Sequence, residues 1–118
     1  MPVIVLYAVI TVAAIVANIG AAMADFTRAN FALANSVRVG VPSFWLPTLG
    51  MLKVAGAVGL LLGLLGVQYI GVAAAVGLVL FFLGAIGVHL RAHEHHHIIT
   101  TVGYFLLATA TLVASIAR

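Results

Sequence analysis

The stretch GVAAAVGLVLFFLGAIGVHL, residues 71–90, decides the fold. None of its positions is Asp, Glu, Lys or Arg, and its only titratable side chain is His89 near the end. A helix rises about 1.5 Å per residue, so roughly twenty apolar residues cross a hydrocarbon core about 30 Å thick. A barrel strand would alternate apolar and polar positions, and this run does not. It reads as a membrane-spanning helix. Three more segments read the same way: Val3 to Ala24, Leu46 to Leu65 and Ile98 to Ala117.

The composition agrees. The chain has 118 residues, 65% of them hydrophobic and 6% charged, against about 45–50% and roughly a quarter in soluble domains. Such a chain is an integral membrane protein forming a single transmembrane domain over residues 1–118. The five basic side chains outnumber Asp25 and Glu94 but form no run, so they point to membrane orientation and not to nucleic acid. There is no cysteine, which removes disulfides, thiolate metal ligands and thiol redox chemistry from this chain's own repertoire. Ala22-Met23-Ala24 resembles a signal-peptide cleavage site, but no positive region precedes it and the apolar run is too long, so the first span is read as retained.

Short links predict an all-α, four-helix up-down bundle with a longer first loop. Residues 66–70 form a tight turn, 91–97 a polar hairpin, and 25–45 a longer segment in which Arg28 to Val37 has the pattern of a short interfacial helix. Phe44 and Trp45 fall where an aromatic belt lies, and Pro47 suits the first turn of the second span. Gly56, Gly59, Gly63 and Gly66 make a small-residue stripe on that helix, expected to meet Gly77, Gly84 and Gly87 with Ala73, Ala74, Ala75 and Ala85 on the third. By the positive-inside rule, Arg28, Arg38 and Arg91 put loops 25–45 and 91–97 in the cytoplasm.

The polar residues collect at that same end. Lys53 lies roughly 9–10 Å along its helix from Pro47. It is expected either to snorkel to the interface or to join a polar site in the bundle mouth, with Asp25 as its partner. Thr11, Asn18 and Asp25 are spaced by seven and project from one face of the first helix; Asn18 should find a hydrogen-bond partner on another helix. His89, His93, His95, His96 and His97 could present imidazoles to zinc, nickel or copper if the third helix continued through them. His93-Glu94-x-x-His97 matches HExxH formally, yet that motif works on a rigid helix of a catalytic domain and the chain must reverse here. A solvated loop is the simpler expectation for the tract, with His93, His95, His96 and His97 as its candidate metal ligands.

Leu49-Gly50-x-Leu52-Lys53-x-x-Gly56-Ala57-x-Gly59-Leu60-Leu61-x-Gly63 resembles the DoxX-like family. So do Gly77-Leu78-x-Leu80-Phe81-Phe82-x-Gly84-Ala85, His89-Leu90-Arg91-Ala92, Asp25-Phe26, Arg28-Ala29 and the Pro42-to-Trp45 segment. The resemblance implies a small four-helix protein of the bacterial inner membrane. Some relatives are subunits of thiosulfate:quinone oxidoreductase and others associate with oxidative-stress enzymes. The histidine tract is not part of the family pattern.

Three functions compete. The first is a non-catalytic membrane subunit or binding module, partnered with a redox enzyme or a further copy of itself, with a quinone or lipid at a mouth built from Asp25, Arg28, Trp45, Lys53, His89 and Arg91. The redox centre would come from the partner. The second is a small transporter, disfavoured because no span carries a carboxylate in its interior. The third is a metal-responsive membrane protein using the histidine-rich loop.

Overall fold

The computed structural model of the protein describes residues 2–27, 33, 34, 37, 40–93 and 98–117. Its four long helices are α1 (Pro2–Phe26), α2 (Leu46–Leu64), α3 (Gln68–Arg91) and α4 (Ile98–Ala117). A 3-10 turn, Ser43–Trp45, leads into α2. Each helix is long and apolar enough to cross a membrane. There is no strand among the described residues. Of the expected interfacial helix, Leu33, Ala34 and Val37 are helical, and its remaining residues lie outside the described ones.

The helices pack in a closed ring, α1 on α2, α2 on α3, α3 on α4 and α4 back on α1. The short α2–α3 and α3–α4 links force antiparallel neighbours. The longer first link also returns α2 antiparallel to α1, with Asp25 at the end of α1 on Lys53 early in α2. The bundle is 44 Å long and 24 × 18 Å across, matching a bilayer of about 40–45 Å with its headgroups. Outward positions of α1 such as Val5, Val9, Val12, Val16, Ile19 and Met23 are all exposed and all apolar. In water this would be an aggregation surface; in lipid it is the ordinary exterior of a span.

The α2–α3 link is shorter than residues 66–70. Gly66 ends α2 at φ 115°, its N–H donating to Gly63 O (3.2 Å) while Val67 N–H donates to Leu62 O (3.0 Å). That pair of bonds is a Schellman cap, which satisfies the last carbonyls of α2. α3 therefore starts at Gln68. At its other end His93 takes the left-handed role at φ 55°, with its N–H on Leu90 O at 3.2 Å.

The glycine contacts partly depart from expectation. A Cβ built on Gly63 would lie 2.7 Å from Gly71 Cα, one on Gly59 2.5 Å from Ala74 Cβ, and one on Gly56 2.6 Å from Leu78. These are the sites where α2 and α3 touch backbone to backbone or nearly so. Gly77, Gly84 and Gly87 have nothing within 4 Å of the same position, so they are not in a helix contact. They share a helix with the contact residues but stand off the line of contact, which spacing alone does not reveal. Below the α2–α3 contact, Leu60, Leu78 and Phe82 fill the core against Ala14 and Ala108.

Candidate functional site

On α1 the buried residues are Tyr7, Thr11, Ala14, Asn18, Ala22 and Asp25, spaced by three and four. That period keeps one face of a helix turned inward. Four of the six carry hydrogen-bonding groups, so α1 presents polar side chains to the bundle interior.

At one end of the bundle the seam meets α2. Lys53 Nζ lies 2.5 Å from Asp25 Oδ2, with the two side chains only 12% and 9% exposed. Of the two fates expected for Lys53, the ion pair is the one observed. Asp25 sits in the last turn of α1 and Lys53 in the first half of α2, so the antiparallel packing puts them within reach. Charge this deep must be neutralised locally, because an unpaired ion in hydrocarbon is expensive.

An aromatic ladder continues from the pair. Lys53 Nζ is 5.5 Å from the centroid of the Phe81 ring. Phe81 meets Phe82 edge-on at 5.0 Å, and Phe82 meets Tyr104 edge-on at 5.3 Å. Tyr104 donates its hydroxyl to Ala17 O at 3.2 Å, tying α4 to α1. Sequence reasoning missed these three rings. The available signal was a tyrosine in mid-span, whose hydroxyl needs a partner inside the bundle.

Deeper along α1, Asn18 donates through Nδ2 to Ala14 O of its own helix at 2.8 Å. The expected interhelical hydrogen bond is not formed. A helix residue four positions back is always within reach, whereas a partner on another helix must be placed there. Asn18 Oδ1 and Thr11 Oγ1 are both buried without a hydrogen-bond partner. Buried acceptors in lipid are costly when unsatisfied, so these two atoms make the interior able to receive a donor.

His89 is buried and its Nδ1–H donates to Ala85 O at 2.7 Å. α3 ends at Arg91, so the helical face of His89 does not continue to His93, which is exposed. His95, His96, His97 and Glu94 lie outside the described residues, as does Arg28. Among the described residues no group of three His, Asp or Glu could hold a metal. Trp45 stacks on Phe44 at 6.1 Å and is about half exposed, and Arg91 is exposed in the last turn of α3. Of the residues expected at the mouth, Asp25 and His89 are buried and Lys53 is largely so, whereas Trp45 and Arg91 are exposed.

The sequence model of the DoxX-like family matches residues 9–111. No curated protein matches the chain. No solved structure matches it either.

Proposed function

The chain belongs to the DoxX-like family, and from that membership we propose that it is a non-catalytic subunit or binding module of the bacterial inner membrane. In this reading it holds a quinone or lipid headgroup at the mouth of its bundle for a partner redox enzyme. The observation that carries the reading is the buried Lys53–Asp25 pair beside the Phe81 ring. A lysine ammonium has three donors, and one carboxylate does not exhaust them. Lys53 can donate to a carbonyl or ester oxygen of a guest while Asp25 keeps it charged, and the Phe81 face offers a stacking surface for an unsaturated head. Thiol chemistry is closed to a chain without cysteine, so electrons handled through thiolates or thiolate-held clusters would belong to the partner.

The test is extraction directly into lipid discs without detergent, followed by mass spectrometry of the bound proteins and of the organic extract. A stoichiometric quinone, lipid or soluble enzyme, retained by the native chain and lost with Lys53→Met, is the expected result. A disc containing only this chain and lipids in bulk proportion would sink the reading.

A further inference from the structure

A groove of about 510 Å³ runs between α2 and α3 on the outside of the bundle, reaching the mouth at Phe81. Leu52, Ala55 and Gly56 form one wall, and Gly77, Leu78 and Phe81 are on the other. A volume of this size falls within the range of small-molecule sites, roughly 300–1,000 Å³. Its lining is apolar and it lies within the span, so its occupant there is a hydrocarbon chain.

The headgroup end follows from helical register. Gly77, Gly84 and Arg91 are spaced by seven on α3, and these two heptads drift about 40° around the helix. The grooved face therefore continues through Gly84, where a Cβ would meet nothing within 4 Å, up to Arg91 in the last turn. On the opposite wall Trp45 precedes Leu52 by seven and is about half exposed at the helix entrance. Beyond the groove, toward the same end of the bundle, register places Arg91 on α3 and Trp45 before α2. From Gly77 to Arg91 the rise is roughly 21 Å at about 1.5 Å per residue. One leaflet with its headgroups is about 20–22 Å, half of a bilayer of about 40–45 Å.

We propose that the α2–α3 groove is a site for one anionic phospholipid, its phosphate on Arg91 beside Trp45 and one acyl chain lying along Gly84 and Gly77 toward the bilayer midplane. Arginine suits the phosphate because its planar donor fork matches phosphate oxygens. The indole takes the position at the headgroup level that tryptophans occupy in membranes. The site adjoins the mouth through Phe81, but its acyl-chain groove opens on the lipid-facing side between α2 and α3.

Trp45 is the only tryptophan in the chain, so its fluorescence reports this end of the bundle alone. The full chain is reconstituted in vesicles with increasing fractions of chain-dibrominated phosphatidylglycerol or phosphatidylcholine, and quenching of Trp45 is read. Expected is half-maximal quenching at about fivefold lower mole fraction for the anionic lipid, the factor expected of one basic residue near the surface. Arg91→Gln should bring the two curves together. Gly84→Leu should raise the midpoint for both lipids; its side chain enters open space, so the bundle is kept, and intact helix content verifies this. Gly103→Leu, on α4 and also in open space, should change neither curve. Coincident curves for the native chain, or a preference that survives Arg91→Gln, would overturn the proposal in favour of ordinary solvating lipid.

Discussion

The ammonium of Lys53 rests on the carboxylate of Asp25 inside the bundle, joining the first half of α2 to the last turn of α1. The side chain is long enough to reach the interface, but the carboxylate is nearer and both groups are shielded from water. Removing one partner leaves the other charge buried and alone, which costs about 3–5 kcal/mol. Asp25→Asn and Lys53→Met should each be destabilising on that scale in denaturant titrations of detergent-solubilised protein. The double variant should lose clearly less than the sum of the two. Additive losses would mean that the pair contributes no coupling.

The helix contact between α2 and α3 predicts a ranking among glycines. Alanine at Gly63 or Gly71 presses a methyl into backbone at 2.7–2.8 Å, which no rotamer change relieves. Overpacking of this kind costs about 1–3 kcal/mol. At Gly50 the neighbour is the Phe26 ring, 2.9 Å away but able to turn, so Gly50→Ala should cost less. Gly84→Ala and Gly87→Ala enter open space and should be neutral or gain up to about 1 kcal/mol from helix propensity. Thermal midpoints of the purified variants test the order; Gly84→Ala as harmful as Gly63→Ala would contradict the packing described.

The unsatisfied atoms on α1 predict stabilising substitutions. Thr11 is fully buried and its hydroxyl has no hydrogen-bond partner. Valine has nearly the same shape without the polar group, so Thr11→Val should raise stability by about 1 kcal/mol, and Asn18→Leu should do likewise within the strain of its different shape. A loss of stability with Thr11→Val would show that the hydroxyl is satisfied by a bound molecule in the native membrane.

Orientation has a clean test because the chain contains no cysteine. Single cysteines placed at Gln68, at the α2–α3 link, and at Ala92, after α3, lie at opposite ends of the bundle. A membrane-impermeant maleimide added to intact cells should label the first and spare the second until the membrane is broken, as the positive-inside rule requires for the arginine-bearing loops. The reverse pattern would invert the proposed topology.

How much of this could be read without coordinates depends on how local each cause is. The four spans follow from runs such as 71–90, because length and hydropathy are properties of the segment itself. The pairing of Asp25 with Lys53 was also legible, since few charges occur and two lay at the same end of the bundle. The aromatic ladder from Phe81 to Tyr104 was not, because it joins α3 to α4 through ring orientation. Likewise, the glycines of α3 divide into contact and open positions according to which way the helix is rotated, and rotation is set by neighbours.

Sequence by itself determined the solvent, the number of spans, their alternation in direction and the end at which charge gathers. Each of these depends on the transfer cost of residues close together in the chain. Tertiary structure alone decided that Gly63 meets Gly71, that Asn18 turns back to Ala14 and leaves an oxygen unsatisfied, and that Trp45 and Arg91 are exposed while His89 is buried. Those outcomes depend on the rotation and depth of each helix against its neighbours. Lipid is as apolar as the helix faces it solvates, so close packing and internal hydrogen bonds, not hydrophobicity, choose among the rotations.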